Sequence, residues 1–547
     1  MTEQHCDCDD FASWARMFSQ RTNQSLAGAN LLVDENDGKS DRNALLKNQA
    51  ECWGMNVIEV SDKARTEDRG EADALPINSS GKAFAYRYIP QSCDHNDAKT
   101  SENAVIADMR EATGREAMDY AQKHMPVTHE LMRRLTGRGT TDDDTATISR
   151  YRGNQRGDAQ VHDSPAPIDF NGIRIAICLI LEPKTAVLLR ELKAAGAQVG
   201  VCCEPGGVDE RVAKQLRTEG ITVEAKNDWT SEQYHDGALR LLDALNPNII
   251  IDDGASFARL AARERPDIVA KLIGVAEETT SGVRAFQAMQ DDHALPYPVV
   301  AVNDSPLKTC FDNAHGTGET CVTTIQEILG AQWFTGKRIA VVGYGPVGRG
   351  FALRIRALGA QVTICDIDPT ACLKAVFEGF PTQDINEAVS DADMTVSATG
   401  VRHTLAIEHL RAMKTNATVT VIGGIADEIA LDEIPTFKHH PECDVTTIEV
   451  PDGPTLRLLA QGDGVNYTAG GGNPIEIMDL SFAVQVSAVA HLIKHQGKLP
   501  HELIQLDKQT NREIANIALQ LRGYHVSHTV KDNGYSWETT RFDAMRD

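Results

Sequence analysis

Three clusters of residues in this chain have types and spacings that could do chemistry. The first begins with the apolar run Arg338–Val342 and continues Gly343-Tyr344-Gly345-Pro346-Val347-Gly348. A helix-like stretch and a second apolar run ending in Asp366 follow. A strand that feeds three glycines and then a helix can cradle a pyrophosphate. The first glycine makes the turn tight, the second lets the backbone approach the phosphates, and the third lets helix and strand touch. The helix N-terminus then faces the phosphate charge. Asp366 lies 18 residues beyond Gly348. A carboxylate there accepts hydrogen bonds from the ribose hydroxyls of NAD and repels the 2′-phosphate of NADP. NAD is therefore the expected cofactor. The later stretch 391–400 ends a strand pattern in Ser397-Ala398-Thr399-Gly400, at the same rim.

The second cluster is Gly274-Val-Ala-Glu277-Glu278-Thr279-Thr280-Ser281-Gly282. It reads equally as a strand end with a hydroxyl-rich helix cap, or as a ribose clamp. In the clamp Glu278 accepts from a hydroxyl and the Thr/Ser row donates. The third cluster runs from Val302 to Glu319 and sets Lys308 and Asp312 four residues apart. On a helix that spacing is one face. It is either a surface ion pair worth roughly a few tenths of a kcal/mol, or a desolvated pair holding a lysine ready to take a hydroxyl proton. Oxidation by NAD needs the latter.

These clusters need a scaffold, and the hydrophobic pattern supplies one. From Gly172 onward, apolar runs of strand length alternate with amphipathic stretches of helix length: IRIAICLI, TAVLLRELKAAG, AQVGVCC, ERVAKQLRTEG, ITVEAK and NIIIDDG. That alternation predicts parallel sheets with helices on both faces. Ligands sit at the carboxyl ends of such strands, which is where Asp252 and Asp253 fall. Residues 102–135 carry a helical pattern, and 136–168 are polar, Gly-rich and aperiodic, as in a long loop insertion. Residues 1–103 are polar, with short strand-like pieces (NLLV, MNVIEV, KAFAYRYI). They are expected to form a small accessory unit without chemistry, packed on the main body.

Composition narrows the partners. There are 54 basic and 78 acidic residues, a net charge of −24, and no basic block, which argues against nucleic acid. No run of 18 apolar residues occurs and the N-terminus is acidic. Neither a membrane span nor a signal peptide is expected, and the protein is expected to be cytoplasmic. The 12 cysteines are expected to be free thiols, with no metal, because paired CxxC spacing is absent.

The motifs DDG, EETTxGV, VNDSxxKxxFDNxxGTGE, GYGxVGRG, LLAxGxxVN, AGxGxP and EIMDxSFA together resemble the S-adenosyl-L-homocysteine hydrolase family over about residues 104–527. The GTG form resembles its archaeal branch. The family's usual tail, with Lys and Tyr, is unmatched after about Val526. The resemblance implies an α/β fold of two doubly wound, Rossmann-like domains with an N-terminal extension (1–103). A substrate domain (104–305) would be followed by an NAD domain (306–470), C-terminal helices returning to the substrate domain (471–527) and a polar tail (528–547). Hinges are implied near Asn303 and after Pro474, with assembly as a homodimer or homotetramer and an adenosine-type nucleoside as the small-molecule partner.

In that family NAD oxidises the substrate's 3′-hydroxyl. The C4′ proton then becomes acidic, the C5′ thiolate leaves, water adds and the ketone is reduced back. The resemblance implies that Lys308 and Asp312 serve the 3′-hydroxyl, Glu278 the ribose, and Asp253 the region of C4′ and C5′. It implies Glu182 and Asn473 as substrate contacts. It implies Thr279, Thr280, Ser281, Asn313, Gly343, Gly345, Val347, Gly348, Asp366, Thr399, Gly423 and Asn466 as cofactor contacts. The chain also departs from the family. Three family histidines are replaced by Ile180, Gly424 and Asn473. The first two would handle water and leaving-group protons at C5′, and the third borders the purine. Three readings follow: a nucleoside 4′,5′-dehydratase or lyase without efficient water addition, a true hydrolase, or an inactive NAD-binding regulatory paralogue.

Overall fold

The computed structural model describes residues 11–34, 40–60, 85–87, 109–138, 167–423, 427–440, 443–524 and 526–527. Gly424, the insertion at 139–166 and the tail 528–547 lie outside the described residues, as do large parts of 1–103.

Within the extension, β1 (Asn30–Asp34), β2 (Asn56–Val60) and β3 (Ala85–Arg87) form a 3-stranded parallel sheet in the order β2-β1-β3. The helix Phe11–Thr22 buries Phe11, Trp14 and Phe18. These side chains join Trp53 in one apolar cluster with Cys321, Val322, Phe334 and Phe351 of the main body.

The next strands are β4 (Arg174–Cys178), β5 (Gln198–Cys202), β6 (Thr222–Glu224), β7 (Ile249–Asp252), β8 (Gly274–Glu277) and β9 (Val299–Ala301). A further group comprises β10 (Arg338–Val342), β11 (Gln361–Cys365), β12 (Met394–Ser397), β13 (Thr418–Val421), β14 (Val445–Glu449) and β15 (Thr455–Leu459), and β16 is Leu503–Ile504. One sheet has 7 strands in the order β16-β9-β8-β7-β4-β5-β6, all parallel. Ile175, Ile177, Ile249, Ile250 and Ile251 in it are fully buried. Strands covered on both faces read as unbroken apolar runs, which is why their periodicity pointed to a parallel sheet. The other sheet has 6 strands in the order β11-β10-β12-β13-β15-β14. Its edge departs from the parallel expectation, since β14 runs antiparallel to β15. The tight turn Val450-Pro-Asp-Gly-Pro454, closed by Gly453 N donating to Val450 O, reverses the chain there.

Strand order reverses between β7 and β4 in the first sheet and between β10 and β12 in the second. Doubly wound sheets hold their ligands at such points, outside the carboxyl ends. Asp253, Ile180 and the Gly343–Gly348 loop all follow strands at these rims.

Three local features were not anticipated. The helical pattern at 102–135 is two helices, Gly114–Lys123 and Pro126–Thr136. Pro126 has no N–H to continue the first helix but is well suited to start the second. The helix Ile475–Lys494 is apolar enough by length and composition to span a membrane, yet 94% of that window is buried inside the protein. It shares the core of the seven-stranded unit, with Phe482, Val486 and Val489 packed beside Ile175 and Ile177. Finally, a π-helix runs from Thr309 to Thr317, directly after Lys308. Such windings concentrate at functional sites.

Candidate active site

The π-helical segment brings Lys308 and Asp312 together in the interior. Lys308 Nζ stands 2.8 Å from Asp312 Oδ2, and both side chains are 6% exposed. Lys308 also donates to Asn313 Oδ1 at 2.9 Å. This is the desolvated arrangement rather than the surface ion pair. Burial pushes the ammonium pKa down, but Asp312, Glu278 and Asp253 outweigh it and hold the pKa above its ordinary value. Lys308 is therefore an ammonium here.

Glu278 is buried and held from behind by the helix Ile475–Lys494. Ser481 Oγ donates to one carboxyl oxygen and Gln485 Nε2 to the other, the latter at 2.6 Å. Burial pushes its pKa up to about 7 against the pull of Lys308. Asp253 is raised as well, by burial, with Lys308 opposing. The neighbouring acids serve structure instead. Asp252 accepts from Phe257 N and Ala258 N at the start of the helix Ser256–Glu264. Glu277 accepts from Gly254 N, Ala255 N and Thr279 N at 2.9–3.0 Å, which fixes the loop that aims Asp253.

Thr279 takes the helix-cap role, accepting from Gly282 N at 3.3 Å and donating to Glu277 at 2.8 Å. Thr280 is exposed and donates to Asn303 Oδ1 at 3.0 Å. Ser281 shares a hydrogen bond with Thr279 at 3.2 Å. Asn313 is turned toward Lys308. Asn473, expected at the purine, has its carboxamide buried against the acid pair: Nδ2 donates to Asp312 Oδ1 and, at 3.0 Å, to Thr317 Oγ1. Its Oδ1 accepts from Asn466 Nδ2 at 2.9 Å. An amide can donate and accept at once, so Asn473 closes this network and steadies Asp312.

The other end of the site has features that local patterns did not reveal. Glu182 pairs with Lys184 at 2.7 Å, and the Lys184 side chain is only 2% exposed. Lys184 Nζ also donates to Gly471 O at 2.9 Å and to Asn23 Oδ1 at 2.7 Å. Asn23 in turn donates to Gly471 O and Gly472 O. Leu26 N and Ser25 Oγ of the same segment donate to the fully buried Glu319. The extension thus reaches the site's edge. One signal was available for Lys184: a lysine in the first turn of the helix Pro183–Ala195 opposes the helix dipole and needs an acid beside it. No local signal marks Asn23.

The residues present fit NAD. Gly343 has φ +99°, and a Cβ there would stand 2.8 Å from Ala398 O. At Gly348 a Cβ would stand 2.0 Å from Gly343 O, whereas at Gly345 nothing lies within 4 Å. Only glycines close this turn, and the bare backbone at Gly345 is open to a pyrophosphate. The free N-terminus of the helix Pro346–Ala357 follows it. Asp366 Oδ2 accepts from Tyr344 N at 2.6 Å and Oδ1 from Asp368 N at 2.9 Å, which aims the carboxylate at the loop. A Cβ on Gly423 would collide with Thr317 and stand 3.4 Å from Val347, so these residues crowd together at the rim. Thr399 N donates to Glu428 at 3.1 Å, and its carbonyl accepts from Arg284 of the other sheet's unit. Asn466 Oδ1 is buried with no partner among the described residues. An orphaned acceptor beside the Lys308 cluster suits the amide N–H of a nicotinamide.

Residues 162–266 match the family model described as S-adenosyl-L-homocysteine hydrolase, and residues 313–472 match its NAD binding domain. The chain is 38% identical over 379 residues to the adenosylhomocysteinase of Thermococcus kodakarensis, covering 68% of this chain and 89% of the relative. It is 35% identical to the adenosylhomocysteinase of Thermotoga maritima, covering 72% and 98%. It is 33% identical to the S-inosyl-L-homocysteine hydrolase of Methanopyrus kandleri, covering 80% and 98%.

Proposed function

The chain belongs to the S-adenosyl-L-homocysteine hydrolase family, and from that premise we propose that it oxidises a nucleoside at C3′ and eliminates the C5′ substituent without efficient water addition. This is a 4′,5′-dehydratase or lyase. One observation carries the reading. Lys308, Asp312 and Glu278 are buried together, with the half-buried Asp253 acting on Lys308, while the first histidine position of the family holds Ile180.

When bound, NAD would accept the hydride from C3′ and return it to the C3′ ketone after the elimination. The Lys308 ammonium first passes a proton to Asp312, 2.8 Å away, and the neutral amine then takes the 3′-hydroxyl proton. Glu278 accepts from a ribose hydroxyl. Asp253 removes the C4′ proton made acidic by the ketone. The C4′ electron pair forms the C4′–C5′ double bond as the C5′ substituent leaves. Ile180 offers no proton and no anchor for an attacking water. A missing acid–base group costs about 10²–10⁴ in rate.

Incubating the NAD-loaded protein with adenosine or inosine in deuterated water tests this. The expected result is deuterium at C4′ and accumulation of the 4′,5′-unsaturated nucleoside. The 33–38% identity to hydrolases favours the second reading. Release of homocysteine and nucleoside from S-adenosyl- or S-inosyl-homocysteine at a relative's rate would establish it in place of the first. Neither exchange nor cleavage would leave the regulatory paralogue. A homodimer or homotetramer belongs to this proposal, supported by the exposed Ile367, Leu373, Val376 and Phe377 on the NAD unit.

A further inference from the structure

Elimination at C5′ needs a proton for the group that departs, and Ile180 has none to give. The strand register shows where a substitute stands. In the seven-stranded sheet β5 lies beside β4 and β4 beside β7, with Cys178 opposite Cys202 and Ile177 opposite Ile251. The residues that emerge from adjacent strands at the carboxyl rim are therefore Glu204, Ile180 and Asp253. The turn after β5 folds back over Ile180. Gly207 N donates to Glu204 O at 3.2 Å, and Leu181 N donates to Gly207 O at 2.9 Å. A Cβ on Gly207 would stand 2.9 Å from Ile180 Cδ1 and 3.6 Å from Glu204 O. Glu204 thus shares a turn with the residue that replaces the histidine. Glu204 is exposed at this rim, and no described residue hydrogen-bonds its carboxyl.

We propose, resting on the C5′-elimination reading above, that Glu204 is the acid–base catalytic residue at C5′. As the C5′–X bond breaks and its electrons leave with X, the C4′ pair closes the double bond. X takes the proton from the Glu204 carboxyl, so HX departs and a Glu204 carboxylate remains. Hydroxide leaves far less readily than thiolate, so a carboxylic acid here matters most for loss of water.

The electrostatics agree with that role. Burial of the carboxyl, then the charges of Asp253 and Asp463, push Glu204 up to about 7. The other groups facing it are the raised Cys203 thiol and the Tyr234 hydroxyl. Asp463 itself is paired with His439 at 3.5 Å. An acid with a pKa near the working pH is the effective kind.

The test compares wild type, Glu204→Gln and Glu204→Asp. The substrates are adenosine, whose 5′-hydroxyl leaves only with a proton, and 5′-chloro-5′-deoxyadenosine, whose chloride needs none. For Glu204→Gln the expected result is C4′ deuterium exchange close to wild type and water loss slowed about 10²–10⁴-fold, with chloride loss little changed. Glu204→Asp recovers part of the rate. Wild-type water loss declines as pH rises through neutrality, and the Gln variant's residual rate does not. In infrared spectra recorded across neutrality, Glu204→Gln loses one titrating carboxyl relative to wild type, while that of Glu278 remains. Equal slowing for both substrates, or an unchanged pH profile, would overturn the proposal while leaving the elimination reading standing. A wild type that shows neither exchange nor elimination would overturn the elimination reading and this proposal with it.

Discussion

Lys308→Ala separates the electrostatic role of Lys308 from its chemical one. Lys308 is the cation set among Asp312, Glu278 and Asp253. Removing one partner of a buried pair strands the other charge, at a cost of about 3–5 kcal/mol. That cost must depend on pH. Glu278 is already pushed up to about 7 and Asp253 is raised, in both cases with Lys308 pulling the other way. Without the ammonium both carboxyls rise further above their unfolded values. The folded state then binds more protons than the unfolded state between the two values, so stability falls as pH rises. At about pH 5 Glu278 is largely protonated and the variant loses less, whereas at about pH 8 it carries nearly the full cost. Each pKa unit of displacement corresponds to about 1.4 kcal/mol. Thermal melts of wild type and Lys308→Ala at both pH values measure the difference, and the double variant Lys308→Met/Asp312→Asn should recover much of it. Nucleoside-dependent reduction of the bound nicotinamide is lost in both variants. A stability loss of the same size at both pH values would refute the coupling. Nicotinamide reduction that persists in Lys308→Ala would remove Lys308 from the oxidation step.

Two further outcomes follow from individual contacts. Asp366 accepts from two backbone N–H groups, and an Asn there must turn its NH₂ toward one of them. Asp366→Asn should therefore weaken NAD by about 1–3 kcal/mol and narrow its preference over NADP, and calorimetry showing unchanged affinity would remove Asp366 from the cofactor site. Asn23→Ala takes one acceptor from Lys184 while Glu182 and Gly471 O remain. It should cost about 1 kcal/mol in stability and raise KM for the nucleoside with kcat little changed; an unaltered KM would show that the extension does not influence that end of the site.

What was legible in the sequence is what short-range physics controls. The glycine loop and Asp366 are set by a strand, a turn and a helix adjacent in the chain, so spacing alone located them. The Lys308–Asp312 spacing correctly placed both groups together. It could not show the π-helical winding or the ammonium state, because both depend on acids that other strands deliver. Thr279 looked equally like a cap or a cofactor ligand. Which role it takes depends on Glu277, whose side chain turns back to the loop at Gly254 and Ala255. The contacts of Asn473 could not be read locally because its partners Asp312 and Thr317 lie far away in the sequence, 161 and 156 residues. The extension was read as inert since its contacts are equally remote: Asn23 meets Lys184 across 161 residues and Ser25 meets Glu319 across 294. A two-residue strand such as β16 carries no periodicity to detect.

The segment 471–475 shows why the remote contacts belong to the chemistry. Gly471 and Gly472 offer their carbonyls to Asn23, and Gly471 also to Lys184. Asn473 holds Asp312. Ile475 N, donating to Asn23 O at 2.9 Å, opens the helix whose Ser481 and Gln485 hold Glu278. Residues 471–473 and 475 therefore touch the extension, the substrate unit and Asp312, and they lead into the helix that holds Glu278. Displacing this segment would release Asp312 and Glu278 together, which leaves Lys308 without its positioned partners. The seating of Asp312 and of Glu278 thus depends on one stretch of chain, which also ties the extension to the substrate unit.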